Sequence, residues 1–300
     1  MTAKNSGVTN MSQQILRSAL YMPASNQRAM DKARQLDCDA VIFDLEDAVA
    51  PDAKEQARQQ VLAQVQAGGY GARKLVVRAN SIDSPWGEAD LQALASCGVQ
   101  TICLPKVDSV EQLQRCSELL AASGAPAELR LWGMIETPLG VANVEAIACS
   151  GGRLEALLMG TTDLAHELRV PVRADRLGLQ YALSRCVNAA RMGRIVILDS
   201  VFLDITDEPG FRADCEQGYA LGLDGKTLIH PSQVVAANEV YGLTAAQVEH
   251  ARQVIEVWQA ARDGGKGGAV LKGKLVETMH VDGAHRILAL WESQQRLAAS

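Results

Sequence analysis

Six acids stand at or just past the ends of short apolar runs: Asp44, Glu46, Asp47, Glu136, Asp163 and Asp199. Three bases, Arg17, Arg78 and Lys106, are expected at the same mouth. Carboxylates gathered in a concave site raise one another's pKa unless positive charge sits among them. A divalent cation is the economical solution. Glu136 and Asp163 close consecutive runs, so their carboxylates can converge on one point. Two carboxylates completed by water and substrate oxygens are a usual way to hold Mg²⁺. Arg78 follows two apolar valines, and its planar fork suits a substrate carboxylate. Glu46 or Asp47 on the neighbouring strand would hold that fork in place, and Asp44, Glu46 and Asp47 are all expected to support the site from behind its contact residues. Lys106 either pairs with a strand-end acid or touches substrate, Arg17 is a further substrate-contact candidate, and His230 is read as structural.

The elements that must position these groups are legible in the apolar patterning. Runs rich in β-branched residues occupy 18–22, 40–45, 74–79, 101–106, 129–136, 156–160, 195–199 and 226–229. Apolar residues at helical spacing fill 26–37, 53–67, 110–123, 140–149, 177–191 and 211–221 between them. The runs start about 30 residues apart, the length of one strand, one crossover helix and two short loops. Eight such units build an open sheet or a closed (β/α)₈ barrel. In an open sheet, strands about 4.8 Å apart would scatter the charged residues over more than about 30 Å. Closure brings them to one mouth, the face where barrel enzymes keep their active sites. The expected fold class is therefore an α/β TIM barrel with a C-terminal helical extension. The expected division is 1–263, a barrel domain with a polar N-terminal tail, and 264–300, a glycine-rich hinge and lid. One long helix is expected over 231–261, and a tail helix over 281–297.

Composition narrows the function classes. The chain has 300 residues, with 29 Lys and Arg against 35 Asp and Glu, for a formal net charge of −6. That balance argues against a phosphate-backbone binder, so no nucleic-acid partner is expected. No stretch approaches the ~20 apolar residues that span a bilayer, and the first fifteen residues lack a secretory pattern. A cytoplasmic protein with no membrane partner is expected. The seven cysteines are scattered without a Cys-x-x-Cys pair, which predicts buried thiols rather than disulfides or a zinc site. His166-Glu167 begins like a zinc-protease motif, but position 170 is Val.

Several motifs occur in order: Arg17-Ser18-Ala19-Leu20-Tyr21-Met22-Pro23, Asp44-Leu45-Glu46-Asp47-Ala48-Val49, Val77-Arg78-Ala79-Asn80, Ile135-Glu136-Thr137, Gly160-Thr161-Thr162-Asp163-Leu164 and Gly225-Lys226-Thr227-Leu228-Ile229-His230-Pro231. Together they resemble the citrate lyase β-subunit-like branch of the HpcH/HpaI aldolase superfamily, over about residues 17–290. The resemblance implies a Mg²⁺-dependent carbon–carbon lyase acting on a 3-hydroxyacyl-CoA thioester of malyl-CoA or citramalyl-CoA type. Its partners would be the CoA thioester and a small 2-oxo acid, glyoxylate or pyruvate. It implies metal ligation by Glu136 and Asp163 and substrate carboxylate binding by Arg78. The glycine hinge at 264–268 predicts that the tail docks on another protomer of a homo-oligomer, a trimer. Relatives carry a catalytic aspartate in a Gly-Lys-Met-Val/Ile-Asp motif; this chain has Gly273-Lys274-Leu275-Val276-Glu277, so the resemblance places Glu277 in that role. Ala24 stands where relatives usually have glycine. Two alternative functions fit the same residues: a citrate lyase β subunit working on an acyl-carrier-protein thioester, and a non-catalytic metal- and acyl-CoA-binding protein.

Overall fold

Successive residues of a strand face opposite ways, so an apolar run that is buried on both faces needs a core on each side. A computed structural model, describing residues 15–265 and 267–298, supplies both. Strands β1 (Ser18–Pro23), β2 (Ala40–Asp44), β3 (Lys74–Arg78), β4 (Thr101–Leu104), β5 (Arg130–Ile135), β6 (Leu154–Met159), β7 (Val196–Asp199) and β8 (Gly225–Leu228) pair in parallel in chain order. β8 returns to β1, closing the barrel. All eight expected runs are strands. The helices are α1 (Gln27–Lys32), α2 (Lys54–Ala67), α3 (Gly87–Leu94), α4 (Val110–Ala122), α5 (Pro138–Ala148), α6 (Thr161–Leu168), α7 (Gln180–Gly193), α8 (Glu208–Leu221), α9 (Val234–Tyr241), α10 (Ala245–Asp263) and α11 (Thr278–Ala298). Of these, α3 and α6 were not legible as helical runs. Each has only eight residues.

One set of alternating residues, including Ala40, Ile42, Val76, Trp132, Met134, Ala156, Leu158 and Leu198, forms the barrel interior. The opposite set, including Val41, Phe43, Val77, Ile135, Leu157 and Ile197, packs with the helices into a larger core. This alternation decides where each strand-end side chain points.

By contact density the chain divides into a barrel unit, 16–241, and a second unit containing 242–298. The expected helix over 231–261 is instead α9 and α10, separated at 242–244. Thr244 and Gln247 form a reciprocal capping box that starts α10. In the second unit, β9 (Ala269–Leu271) and β10 (Lys274–Val276) make a hairpin. Its turn is Lys272-Gly273, with both φ angles positive (50° and 79°), as a two-residue hairpin requires. Val254, Ala269, Val276 and Val281 form its apolar centre. Within the expected polar tail and hinge, residues 1–14 and Lys266 lie outside the described residues. Among the described residues no helix is long and apolar enough to cross a membrane. All seven cysteines are free thiols; five are buried, Cys97 is half-buried and Cys149 is exposed.

Candidate active site

The inward parity of β1, β2, β3, β5 and β6 carries past their C-terminal ends. Tyr21, Asp44, Arg78, Met134, Glu136 and Gly160 all belong to it, and all line one cavity of about 390 Å³ with Asp47 and Asp163. Asp163 reaches the cavity from the first turn of α6, which follows directly on Gly160.

Glu136 is the most constrained of these groups. Its Oε1 accepts a hydrogen bond from the Lys106 backbone N–H at 2.8 Å. Lys106 takes a left-handed conformation (φ 49°) that a lysine rarely adopts, and this bend aims the N–H at the carboxylate. On the other side Glu136 lies against Gly160, where a Cβ would fall 2.4 Å from Oε2. Burial, reinforced by the charge of Glu46, pushes the Glu136 carboxyl up to about 7. Burial likewise pushes Glu46 up to about 7, with Asp47 and Asp44 adding to it against the pull of Arg78 and Lys106.

Arg78 is held more firmly than the sequence suggested, and chiefly by Asp44. Its Nε and Nη2 donate to the two Asp44 oxygens at 2.7 and 2.6 Å. Nη1 faces Glu46 Oε2 at 2.9 Å and Asp47 Oδ2 at 3.3 Å. The Tyr21 ring lies under the guanidinium, 4.9 Å from its centroid, a favourable cation–π placement. Asp44 also accepts the backbone N–H groups of Glu46 and Ala48, which shapes the loop after β2. Lys54 ties down the same loop, donating to the carbonyls of Leu45 and Glu46 at 2.8 and 2.6 Å. Lys106 spans the rim, its Nζ 3.7 Å from both Glu46 Oε1 and Asp163 Oδ2. Burial opposes its charge, but these acids and Glu136 lift the ammonium above its ordinary pKa.

Two expected mouth residues lie elsewhere. Arg17 precedes β1 and so sits at the strand's opposite, N-terminal end. There it forms a buried bidentate pair with Asp39, Nε to Oδ2 at 3.0 Å and Nη2 to Oδ1 at 2.7 Å. Its guanidinium is committed to holding β1 against the start of β2, and the substrate contact expected of it gives way to this structural one. Asp199 has the outward parity on β7. It points into the layer between strands and helices, where Arg176 Nη1 donates to it at 2.8 Å and Lys226 Nζ lies 3.2 Å away. Burial pushes its carboxyl up, yet Lys226 and Arg176 hold it below the ordinary range. Strand parity counted from Leu198 was the signal that assigns this direction. The same count would have found Tyr21, Met134 and Ser200, which line the cavity and were not singled out. His230 is structural, its Nδ1 accepting the Ser232 N–H at 3.2 Å. Ala24 is fully buried in the outer core, its N–H donating to the Asp44 carbonyl at 3.1 Å. Glu277 belongs to the second unit, exposed between β10 and α11, with its N–H donating to His280 Nδ1 at 3.0 Å.

The remaining mouth therefore holds five carboxylates, Asp44, Glu46, Asp47, Glu136 and Asp163, against two cations, Arg78 and Lys106. Glu46 Oε2 is buried and ion-paired but lacks an aligned hydrogen bond. Two carboxylates raised to about 7 mark a shortage of positive charge. A hard dication with oxygen ligands would supply it, and the carboxylate donors of Glu136 and Asp163, completed by water, are of the type that suits Mg²⁺. Among the described residues no group of three or more His, Cys, Asp or Glu is arranged as a metal site.

The HpcH/HpaI aldolase/citrate lyase family profile matches residues 17–231. A (3S)-malyl-CoA thioesterase of Cereibacter sphaeroides is 43% identical over 284 residues, covering 95% of this chain and 97% of the relative. The citrate lyase subunit beta of Escherichia coli is 34% identical over 278 residues, covering 91% and 92%. CitE of Mycobacterium tuberculosis, solved in complex with magnesium, acetoacetate and coenzyme A, matches with TM-score 0.72 and 27% identity over 95% of this chain and 99% of that one. With a closed barrel, a carboxylate-lined mouth and a profile that spans most of it, the chain belongs to the HpcH/HpaI aldolase/citrate lyase family of enzymes.

Proposed function

We propose that this enzyme cleaves or forms the C2–C3 bond of a 3-hydroxyacyl-CoA thioester of malyl-CoA or citramalyl-CoA type, with Mg²⁺ held by Glu136 and Asp163. In the cleavage direction the 3-hydroxyl loses its proton and becomes the oxo group of glyoxylate or pyruvate. The electron pair of the broken bond passes to the thioester α-carbon as an enolate, which takes up a proton to give the acyl-CoA. Mg²⁺ held by these two carboxylates would supply positive charge that stabilises the oxygen on which charge develops. Arg78, prealigned by Asp44, orients the substrate carboxylate and adds fixed charge, a contribution often worth several kcal/mol. Lys106 extends a second cation over the rim. Glu277 is assigned the α-carbon proton, as general acid in cleavage and base in condensation. We assign it to the tail of a neighbouring copy in a homotrimer; a monomer by light scattering at micromolar concentration refutes that assembly.

The observation that supports this reading is the placing of Glu136, Asp163 and Arg78 around one cavity. A second reading, hydrolysis of the same thioester, is favoured by the 43% identity to a malyl-CoA thioesterase. Purified protein with Mg²⁺ and malyl-CoA or citramalyl-CoA separates them. Carbon–carbon cleavage releases a 2-oxo acid, trapped as its hydrazone, with no free thiol. Hydrolysis releases CoA thiol and a hydroxy diacid with no 2-oxo acid. Turnover of acyl-carrier-protein thioesters alone identifies a citrate lyase β subunit. Binding without turnover of any of these identifies a non-catalytic acyl-CoA-binding protein, and refutes the proposal.

A further inference from the structure

A second cavity, of about 410 Å³, adjoins the first and shares Thr162 and Val201 with it. The start of α6 borders both chambers. Its first turn presents Asp163 to the first cavity and Thr161 to the second. The Thr161 N–H donates to Ser200 Oγ at 3.0 Å, fixing that turn against the end of β7. The character of the second chamber differs. Val172, Leu179, Phe202, Leu203 and Ala213 line it with hydrocarbon.

Its charged neighbours are already committed. Arg176 donates to Asp199 at 2.8 Å and lies 3.2 Å from Asp214. Arg173 pairs with Asp175. Asp207 accepts the Gly210 N–H at 2.9 Å, and Asp204 accepts from Thr206. The two arginines are each paired with a carboxylate, and Asp204 and Asp207 add negative charge, so an anionic group gains nothing here, whereas an apolar group would gain by displacing water. Val172 and Leu203 are 83% and 62% exposed, so hydrocarbon on this rim faces water until something covers it. A mostly apolar chamber joined to a polar reacting centre is the usual construction of a site that selects a side chain.

We propose that this chamber receives the alkyl substituent at C3 of the hydroxyacyl thioester, which is the side chain of the 2-oxo acid formed on cleavage. The chamber then extends the range of the reaction beyond glyoxylate and pyruvate and favours 2-oxo acids bearing an apolar chain longer than the methyl of pyruvate. This inference rests on the reaction proposed above, since the 2-oxo acid must first be anchored in the first cavity beside Asp163.

The test is calorimetric titration of pyruvate, 2-oxobutyrate and 2-oxohexanoate into the full-length protein with Mg²⁺, with condensation onto acetyl-CoA followed in parallel. Each methylene buried in the chamber should tighten binding about fourfold. The expected result is 2-oxohexanoate binding at least tenfold tighter than pyruvate. Ala213→Trp, at an exposed helix position, fills the chamber and should return the ratio to within twofold. Leu203→Asp, at an exposed loop position, should erase it by placing a charge on the rim. If pyruvate binds and 2-oxohexanoate binds no better, or the advantage survives both substitutions, the chamber is not the side-chain pocket. If none of the three acids binds, the reaction proposed above fails as well.

Discussion

Gly160→Ala isolates the closeness of Glu136 to the helix that carries Asp163. A Cβ at this position falls 2.3 Å from Glu136 Cβ and 2.4 Å from its Oε2. Ordinary carbon contacts begin near 3.4 Å, so the two groups must separate by about 1 Å. The Glu136 Cβ is fixed to its backbone, so a rotamer change cannot relieve the clash. The end of β5 or the start of α6 has to move, and one of the two carboxylates proposed to hold Mg²⁺ moves with it. Gly160 has a negative φ (−107°), so the substitution meets no left-handed penalty and acts chiefly through steric displacement. Overpacking of this kind costs about 1–3 kcal/mol of stability, which a domain this size tolerates. A catalytic group misplaced by about 1 Å can cost about a hundredfold in turnover. The expected outcome is a folded protein by circular dichroism, with Mg²⁺ affinity at least tenfold weaker by calorimetry and turnover down about a hundredfold. Mg²⁺ affinity within twofold of the parent would refute the placement of the ion between Glu136 and Asp163.

Arg78→Ala leaves Asp44 buried without its bidentate partner and should lower stability by about 3–5 kcal/mol in chemical denaturation, besides removing activity. Arg17→Ala breaks the buried pair with Asp39 and should lower the Tm by several degrees while kcat/KM stays within twofold; a large loss of kcat/KM would restore a substrate role to Arg17. With Glu46 and Glu136 both pushed up to about 7, Mg²⁺ must displace protons below that pH. Affinity should therefore rise between about pH 6 and 8, with proton release seen as buffer-dependent calorimetric enthalpies; a pH-independent affinity contradicts the shift. The same raised values mean that the metal-free native state binds more protons than the unfolded chain between about pH 4.5 and 7. Metal-free stability should fall as pH rises through that window, and saturating Mg²⁺ at pH 8 should restore it, as read from thermal melts.

The eight strands, their order and most helices were determined by the sequence alone, because a strand buried on both faces needs a continuous apolar run and each crossover consumes a near-constant length. The two carboxylates proposed to hold the metal stand near each other in chain order for a related reason. Glu136 and Asp163 end or follow consecutive runs, and closure of the barrel places neighbouring strand ends side by side. Direction was harder to read than position. Asp44 and Asp199 both close strands, yet Asp44 turns inward to Arg78 and Asp199 turns outward to Lys226, because the parity of the pleat decides the face. Arg17 was misplaced because charge type alone does not say at which end of a strand a residue stands. Only the tertiary structure decided that Asp44, rather than Glu46 or Asp47, is the main support of Arg78. It alone decided that Gly160 must lack a side chain, and that a second, apolar chamber opens behind Thr162. These depend on distances between segments far apart in the chain, and such distances are set by how the closed barrel packs rather than by any local pattern.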